Sequence, residues 1–221
     1  MINILEVDSV ILEFHSKRVL QDVYLKIETG LITGLLGRNG SGKSCLMKTI
    51  YGELKPNDKS IRINGVSLTS NFRKPDDIRY LPQHRFIPKY LTIKNIFRDF
   101  HLDFSDFLNE FPEFDKFYSV RFGHLSGGEQ RIVEIYSILV SKTKFCMLDE
   151  PFSQVMPLHV DTLKNLIKRE SENKGVILTD HLYKHIIEIC DNLYIINNGK
   201  THLTKSQQDI EKLGYARINI N

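Results

Sequence analysis

A glycine-rich segment in the first quarter of the chain has the residue types and spacing of a phosphate-binding loop. It runs from Gly37 to Ser44 and fits the pattern G-x-x-x-x-G-K-[ST]. Glycines let successive backbone N–H groups turn inward around phosphate oxygens, and a following helix presents its positive N-terminus to the same anion. We expect Lys43 to reach the β- and γ-phosphates of a nucleotide and the Ser44 hydroxyl to bind Mg²⁺. An ordinary glycine-rich turn is the alternative, and the flanking strand and helix patterns disfavour it.

Two adjacent acids follow an apolar run later in the chain. Residues 145–148 are apolar and lead directly into Asp149, Glu150 and Pro151. At the end of a buried strand, Asp149 is suited to hold Mg²⁺ through the water shell of the metal, and Glu150 to polarise an attacking water. Two acids at such a point can also simply begin a loop. The phosphate loop upstream favours the catalytic interpretation.

A serine and two glycines placed before a helical pattern form a second anion-binding element. Ser126, Gly127, Gly128 and Glu129 precede the helical run 131–140. A helix start of this composition offers backbone N–H groups to a phosphate and a serine that can cap the helix. One nucleotide rarely needs two such elements from one chain, so the pair needs an explanation beyond a single phosphate loop.

Short apolar runs predict the elements that position these motifs. The predicted strands are 7–14, 19–27, 31–36, 78–81, 145–148, 175–179 and 193–196, with a helix at 43–51. Helical patterns between most of the later strands predict a mostly parallel sheet that is covered on both faces. The segment 90–118, rich in Phe, Asp and Leu at helical spacing, predicts a small helical lobe. The tail 205–221 has a short helical stretch, and its residues 217–220 are either an extra strand or a loose end.

Length and composition predict one folded domain. The chain has 221 residues, of which 41% are hydrophobic and 26% charged, as in globular proteins. Its net charge of +3 is small and scattered, which gives little support for a nucleic-acid partner. The first residues do not resemble a secretory signal, and no apolar stretch approaches the roughly 18 residues of a membrane-spanning helix. The cysteines Cys45, Cys146 and Cys190 lack CxxC spacing and fit core or near-core positions in a reducing compartment.

In type and order, the three motifs resemble those of the ATP-binding cassette ATPases. In that family an LSGGQ-type signature of one subunit closes over the nucleotide held by the phosphate loop of the other. Phe14 stands where the family stacks an aromatic ring on adenine, Gln83 where it has its lobe-linking glutamine, and His181 where it has its switch histidine. Singly, these three also fit a core aromatic, a surface polar residue and a structural histidine. Six elements in one order favour the family.

The resemblance implies both a fold and a function. The fold is α/β, a P-loop NTPase with a RecA-like core and mostly parallel sheet, an N-terminal antiparallel β subdomain and a small helical lobe. A single domain spans 1–221, with the core and β subdomain at 1–83 and 131–221 and the lobe at about 84–130, ending in the signature. The function is ATP binding and hydrolysis that energises a membrane transporter through an ATP-driven dimer.

The family also implies roles for individual residues. Gln83 would contact Mg²⁺ or the attacking water and sense the membrane partner, while His181 would contact the γ-phosphate and orient the water and Glu150. The predicted catalytic residues are Lys43, Gln83, Glu150 and His181, and the predicted Mg²⁺ ligands are Ser44, Gln83 and Asp149. The predicted ATP-binding residues are Phe14, Gly37, Arg38, Asn39, Gly40, Ser41, Gly42, Lys43, Ser44, Cys45, Ser126, Gly127, Gly128 and Glu129.

Three positions depart from the family pattern. Met156 occupies the position of an aspartate that helps couple the two sites of the dimer, which predicts a difference in communication between sites or in hydrolysis rate. Cys45 replaces the common threonine after Ser44, and Glu129 replaces the commonest signature glutamine. Both of these changes are compatible with function, because Ser44 keeps its hydroxyl and glutamate is a known signature variant.

The resemblance predicts partners and a location as well. Strings at 80–83, 125–129, 149–152 and 179–181 are similar to the ATPases of lipopolysaccharide-export and branched-chain amino-acid transport systems. We therefore expect a homodimer, or a pair with a second cassette ATPase, bound through integral membrane subunits to the cytoplasmic face of the membrane, with no direct nucleic-acid contact. The alternatives are a soluble cassette ATPase acting on nucleic acid or ribosomes, and a regulatory cassette with weak hydrolysis.

Overall fold

Two β-sheets surrounded by helices make up residues 2–15, 17–69 and 73–204, the part of the chain that this computed structural model describes. The first elements are β1 (Ile4–Phe14), β2 (Lys17–Glu28), β3 (Ile32–Gly37), α1 (Lys43–Tyr51), β4 (Asp58–Ile63), β5 (Val66–Ser67), β6 (Ile78–Leu81), α2 (Ile93–Asp99) and α3 (Phe104–Glu110). After two 3₁₀ turns, Pro112–Phe117 and Phe122–His124, come α4 (Gly127–Val140), β7 (Phe145–Asp149), α5 (Pro157–Ser171), β8 (Gly175–Thr179), α6 (Tyr183–Ile189), β9 (Asn192–Asn197) and β10 (Lys200–Thr204). The predicted tail at 205–221, with its candidate strand 217–220, lies outside the described residues.

An antiparallel sheet forms the N-terminal part of the structure, with the strand order β2-β1-β4-β5. Apolar side chains of β1 point to one buried face, namely Leu5, Val7, Val10 and Leu12. Such a one-sided pattern is typical of an antiparallel sheet with a single packed face. The sheet confirms the predicted N-terminal antiparallel subdomain, and it places Phe14 at the end of β1.

The second sheet has the strand order β10-β9-β3-β8-β7-β6, in which only the edge strand β10 is antiparallel to its neighbour. Strands β3, β7 and β8 are buried along their whole length, which fits their continuous apolar sequences. The carboxyl ends of parallel strands meet at one edge of a sheet. That edge therefore collects the phosphate loop after β3, Gln83 after β6, the Asp149–Glu150 pair at the end of β7 and His181 after β8.

Side chains of the parallel sheet alternate between two hydrophobic cores. On β7, Cys146 and Leu148 pack into a core shared with α4, α5 and α6. The intervening Phe145 and Met147 pack into a second core with α1 and the antiparallel sheet. The strand that ends in Asp149 therefore lies between the two cores.

An aromatic cluster organises the segment predicted as a helical lobe. Phe97 of α2, Phe107 of α3 and Tyr136 of α4 have ring centroids 5.1, 5.8 and 4.8 Å apart. Aromatic pairs at such separations stabilise a core beyond the area that they bury. The side chains of Thr92 and Asp103 cap the starts of α2 and α3. The cluster joins these helices to α4, whose first residues are the signature glycines.

Several boundaries differ from the sequence-based predictions. Strands β4, β5 and β10 were not predicted, because each is short and largely polar; β4 has only Ile61 and Ile63 as buried residues. The helical run predicted at 131–140 lies within α4, which begins four residues earlier at Gly127. Glycines are poor helix formers, but a capping box supplies partners for the N–H groups of Ser126 and Glu129 and so stabilises the start of the helix.

Candidate active site

A cavity of about 660 Å³ opens at the edge where the strand ends meet. It is lined by Phe14, Val19, Asn39, Gly40, Gly42, Lys43, Ser44, Cys45, Gln83, Glu150 and His181. The structure thus brings together residues predicted from the phosphate loop, the strand-end acid and three separate family positions. The signature residues 126–129 are not among those that line it.

The backbone of the phosphate loop requires glycine at two points. Gly40 and Gly42 have φ values of 76° and 103°, in the left-handed region that favours glycine. A Cβ atom on Gly42 would lie 2.9 Å from Leu20 and 3.1 Å from Val19. Because Gly42 also has no side chain to cap α1, the first N–H groups of that helix are left for an anionic ligand.

The Lys43 ammonium lies within the loop. It donates to the carbonyl oxygens of Gly37 at 2.7 Å and Arg38 at 3.3 Å, and the residue is 8% exposed. Burial lowers the pKa of Lys43, and the nearby carboxylates of Glu150 and Asp149 act in the opposite direction. A cation held by backbone carbonyls beside two acids is well placed to move onto a phosphate oxygen.

Asp149 is buried at the end of β7 and bonded by two hydroxyl groups. The Tyr80 hydroxyl donates to its Oδ2 atom at 3.0 Å, and the Ser44 hydroxyl forms a second hydrogen bond with the carboxylate. Burial raises the pKa of Asp149, while the hydrogen bonds from Ser44 and Tyr80 act to lower it. A hydroxyl and a carboxylate in contact fit the all-oxygen ligand set that Mg²⁺ prefers.

Glu150 is the point at which the loops of the site meet. Its Oε2 atom accepts from Gln83 Nε2 at 2.9 Å and from the Ser153 hydroxyl at 3.3 Å, and it lies 3.4 Å from His181 Nδ1. The backbone of Glu150 has a φ of 53°, a strained value for a residue other than glycine. The N–H of Glu150 donates to the carbonyl oxygen of Thr179 at 2.7 Å, and this hydrogen bond holds the backbone in that conformation.

Asp180 holds the loop that carries His181. It is fully buried, and its two oxygens accept the N–H groups of Phe152 and Leu182, both at 2.9 Å. Its Oδ1 atom also lies 3.6 Å from His181 Nδ1. Burial raises the pKa of Asp180, against the effect of the two backbone N–H groups.

Sequence reasoning missed a buried ion pair behind the site. Arg131 of α4 donates to the carbonyls of Pro82 at 2.9 Å, Asp149 at 2.8 Å and Glu150 at 3.0 Å. Its guanidinium lies 3.5 Å from the Glu134 carboxylate, and both side chains are almost fully buried. Two opposite charges three positions apart within an otherwise apolar helical run were the available signal.

Sequence reasoning also did not predict Tyr80 and Asp180 as site residues, and the signals for them in the sequence are weaker. Tyr80 belongs to a short buried strand, where a phenol needs a hydrogen-bond partner. Asp180 comes directly after the fully buried strand β8, and Asp149 is the last residue of the fully buried strand β7. An acid at the end of a buried parallel strand, or directly after it, is therefore the shared signal of both carboxylates.

The signature segment forms a second surface of the same chain. The Glu129 N–H donates to the Ser126 hydroxyl at 3.4 Å, and the Ser126 N–H donates to the Glu129 carboxylate at 2.7 Å. A Cβ atom on Gly128 would lie 3.1 Å from the carbonyl oxygen of Gln154. The glycine thus allows the segment 152–156 to approach the start of α4 closely.

Met156 is exposed at the start of α5. It precedes the first residue of that helix without a side-chain cap, and 52% of its surface is accessible. Its carbonyl accepts the His159 N–H at 2.9 Å. The polar side chains that usually occupy this position accept N–H groups of the first helical turn. Methionine supplies no such acceptor.

The fold and the cavity define a P-loop protein that binds a nucleotide. The family model for ABC transporters matches residues 20–153. The chain belongs to the ABC transporter family, among its ATP-binding subunits. This confirms the resemblance and the fold class inferred from the motifs, while the roles of individual residues and the domain boundaries stay predictions.

Relatives and a solved structure match most of the chain. The lipopolysaccharide export system ATP-binding protein LptB of Haemophilus influenzae is 30% identical over 223 residues, covering 94% of this chain and 92% of the relative. The high-affinity branched-chain amino acid transport ATP-binding protein BraG of Pseudomonas aeruginosa is 29% identical, covering 89% of this chain and 90% of the relative. A solved ATP-binding subunit of an ABC transporter superposes with a TM-score of 0.83 at 24% identity, covering 96% and 94% of the two chains.

Across the described residues, the structure contains no helix whose length and hydrophobicity would suffice to span a membrane.

Proposed function

We propose that the chain is an Mg²⁺-dependent ATPase that works as a dimer and energises a membrane transporter. The observation that carries the proposal is the convergence of Gln83, Ser153 and His181 on one oxygen of Glu150. That carboxylate lines the same cavity as the phosphate loop. A carboxylate oriented by neighbours from three segments is the arrangement that positions a water for attack on a phosphoryl group.

ATP would occupy the cavity with its phosphates on the glycine loop. Phe14 lines the cavity and is 42% exposed, which leaves its ring accessible for stacking on adenine. Ser44 and Asp149, with Gln83, would hold Mg²⁺. When bound, the metal neutralises charge on the β- and γ-phosphates. Lys43 would exchange its carbonyl partners for phosphate oxygens.

Glu150 would accept a hydrogen bond from the attacking water and take its proton as the new bond to the γ-phosphorus forms. The bond from that phosphorus to the β–γ bridging oxygen breaks, which gives ADP and inorganic phosphate. Gln83 and His181 hold the carboxylate in position, and His181 can donate to a γ-phosphate oxygen. Positioning and charge stabilisation account for most of the catalysis in phosphoryl transfer.

A second chain would complete the site. The signature residues do not line the cavity of their own chain, yet they start α4 with N–H groups that suit an anion. The signature of a second copy, or of a second cassette ATPase, would cover the γ-phosphate from the open side. This arrangement accounts for both anion-binding elements and makes dimerisation depend on ATP.

Transport is supported by the family and by the relatives LptB and BraG, which are named for lipopolysaccharide export and branched-chain amino-acid transport. We infer that this chain docks through integral membrane subunits on the cytoplasmic face of the membrane. Met156 favours one second candidate, a regulatory cassette with weak hydrolysis, since it replaces a polar residue beside the signature of the same chain.

The substitution Glu150→Gln tests the proposal. It keeps the size of the side chain but removes the base, so ATP turnover should fall by about 10²–10⁴-fold. ATP binding should persist, and gel filtration with ATP and Mg²⁺ should show a dimer that is longer-lived than that of the wild type. The exposed Glu172, at the end of α5, provides the control Glu172→Gln, which should leave turnover unchanged. Unchanged turnover in Glu150→Gln would remove the assigned role.

A further inference from the structure

The side chain of Arg85 connects three loops that the proposed mechanism uses separately. One guanidinium nitrogen, Nη2, donates to the Gly127 carbonyl at 2.7 Å and to Gln154 Oε1 at 2.9 Å. Gly127 belongs to the signature, and Gln154 belongs to the segment after the catalytic acid. Arg85 itself lies two positions after Gln83, a cavity residue.

The loop around Arg85 is also fixed to the signature helix by its backbone. The Phe86 N–H donates to Glu134 Oε1 at 3.0 Å, and the Ile87 N–H lies 3.5 Å from the same atom. Glu134 Oε2 lies 3.8 Å from Arg85 Nη1. Glu134 is a fully buried residue of α4. Arg85 therefore contacts α4 at two points, the Gly127 carbonyl and the Glu134 carboxylate, so the loop and the start of α4 should move together.

Gln154 has a strained backbone conformation. Its φ is 69°, where glycine would be unstrained and a glutamine is not. Its side-chain oxygen accepts a hydrogen bond from Arg85, and its carbonyl oxygen lies beside Gly128. A residue that accepts backbone strain while presenting its amide to one arginine is better explained by that contact than by local folding.

We propose that Arg85 is a positioning residue that transmits nucleotide binding from Gln83 to the signature and to the segment 152–156 of the same chain. ATP with Mg²⁺ would bind beside Gln83, which keeps its hydrogen bond to Glu150, and would shift the loop after β6. Arg85 would carry that shift to Gly127 and Gln154, which lie outside the cavity. The inference rests on the proposed function, since it assigns the surface that would face a second copy.

Amide hydrogen exchange, measured with and without ATP and Mg²⁺, tests the proposal on three variants. In the wild type, ATP should protect both 39–44 and 126–129. In Arg85→Ala, protection at 39–44 should remain while protection at 126–129 is lost. Arg98→Ala is the matched control, because Arg98 is an exposed arginine of α2 that pairs with the adjacent Asp99. It should keep both protections.

Gln154→Gly separates transmission from stability. It relieves the left-handed backbone strain but removes the acceptor, so the melting temperature should not fall while protection at 126–129 is lost. Turnover should fall by about tenfold at saturating ATP, as expected for one charge-assisted hydrogen bond, with KM for ATP within about twofold. Arg85→Ala combined with Gln154→Gly should be no slower than Arg85→Ala alone, because the arginine change already removes the contact with Gln154.

The outcomes distinguish this inference from the function on which it rests. Unchanged protection at 126–129 in both Arg85→Ala and Gln154→Gly, with protection at 39–44 intact, overturns the role of Arg85 and leaves the ATPase proposal standing. A wild-type protein without ATP-dependent protection at 39–44 overturns both.

Discussion

Tyr80 and Asp149 belong to neighbouring parallel strands, and the tyrosine hydroxyl donates to Asp149 Oδ2 at 3.0 Å across the sheet edge. Burial, followed by the charge of Asp149, raises the pKa of Tyr80, so the phenol stays a neutral donor at physiological pH. The tyrosine therefore orients a carboxylate that we assign to Mg²⁺ without competing for the metal.

Tyr80→Phe should weaken the metal site without unfolding the protein. Loss of a partner that orients a ligating carboxylate reduces metal affinity by about tenfold, so the Mg²⁺ concentration for half-maximal ATP turnover should rise accordingly. Tyr194→Phe is the control, since Tyr194 is equally buried, at 5% exposure, but bonds to the backbone of Lys26. An unchanged Mg²⁺ requirement in Tyr80→Phe would contradict this role.

Asp149→Asn should lose activity while keeping or gaining stability. Because burial raises the pKa of Asp149, the folded state binds its proton more tightly than the unfolded state does. Its contribution to the unfolding free energy is therefore favourable in acid and is lost as pH rises through the raised pKa. Without nucleotide at neutral pH, the asparagine variant should be at least as stable as the wild type, and the difference should shrink in acid.

The same variant should lose turnover by more than about a hundredfold, which exceeds the loss expected for an outer partner of a ligand. Denaturant melts at several pH values and a phosphate-release assay measure both effects. A variant that is markedly less stable at neutral pH would show that Asp149 is structural.

Gly42→Ala should abolish nucleotide binding. A methyl group there meets Leu20 and Val19 at 2.9 and 3.1 Å and sits on a backbone with a φ of 103°. Gly30→Ala is the matched control, because its φ of 91° imposes similar strain while its Cβ position is open. Gly30→Ala should lose about 1 kcal/mol of stability through backbone strain, and Gly42→Ala should lose more because of its contacts with Leu20 and Val19. Titration with a fluorescent nucleotide should detect binding only in Gly30→Ala, and equal binding in both would contradict the packing argument.

Met156→Asp should stabilise the chain. An aspartate before α5 would accept N–H groups of its first turn, adding about 1 kcal/mol to the free energy of unfolding. Met156→Asn offers the same cap without charge. If turnover rises only in Met156→Asp, the lack of a charged side chain at position 156 limits the turnover of this chain. If both variants are stabilised but turn over no faster than the wild type, a polar residue at position 156 acts only as a helix cap. Thermal melts and turnover assays report the two effects, and no stabilisation in either would contradict the capping prediction.

The sequence predicted those parts of the site whose chemistry lies within one segment. The phosphate loop, the Asp149–Glu150 pair and the signature are contiguous motifs, and the buried strands before the first two have continuous apolar runs. Their meeting at one edge follows from parallel strand order. The fold class was predictable for the same reason.

Contacts between separate segments could not be predicted from the sequence. Arg131 binds carbonyls of two other loops, and Arg85 binds the amide of Gln154. These contacts depend on how α4 and the loops pack at the edge of the sheet. The sequence did not predict the strands β4 and β10, because they form by pairing with β1 and β9 and have little apolar content of their own.

The alternation of β7 between two cores has a consequence for biogenesis. Phe145 and Met147 need the antiparallel sheet and α1, whereas Cys146 and Leu148 need α4, α5 and α6. A newly made chain therefore cannot fix Asp149 until the layers on both sides have packed. Under the proposed function, affinity for Mg²⁺–ATP would therefore arise only late in folding, and a partly folded chain would not bind the nucleotide.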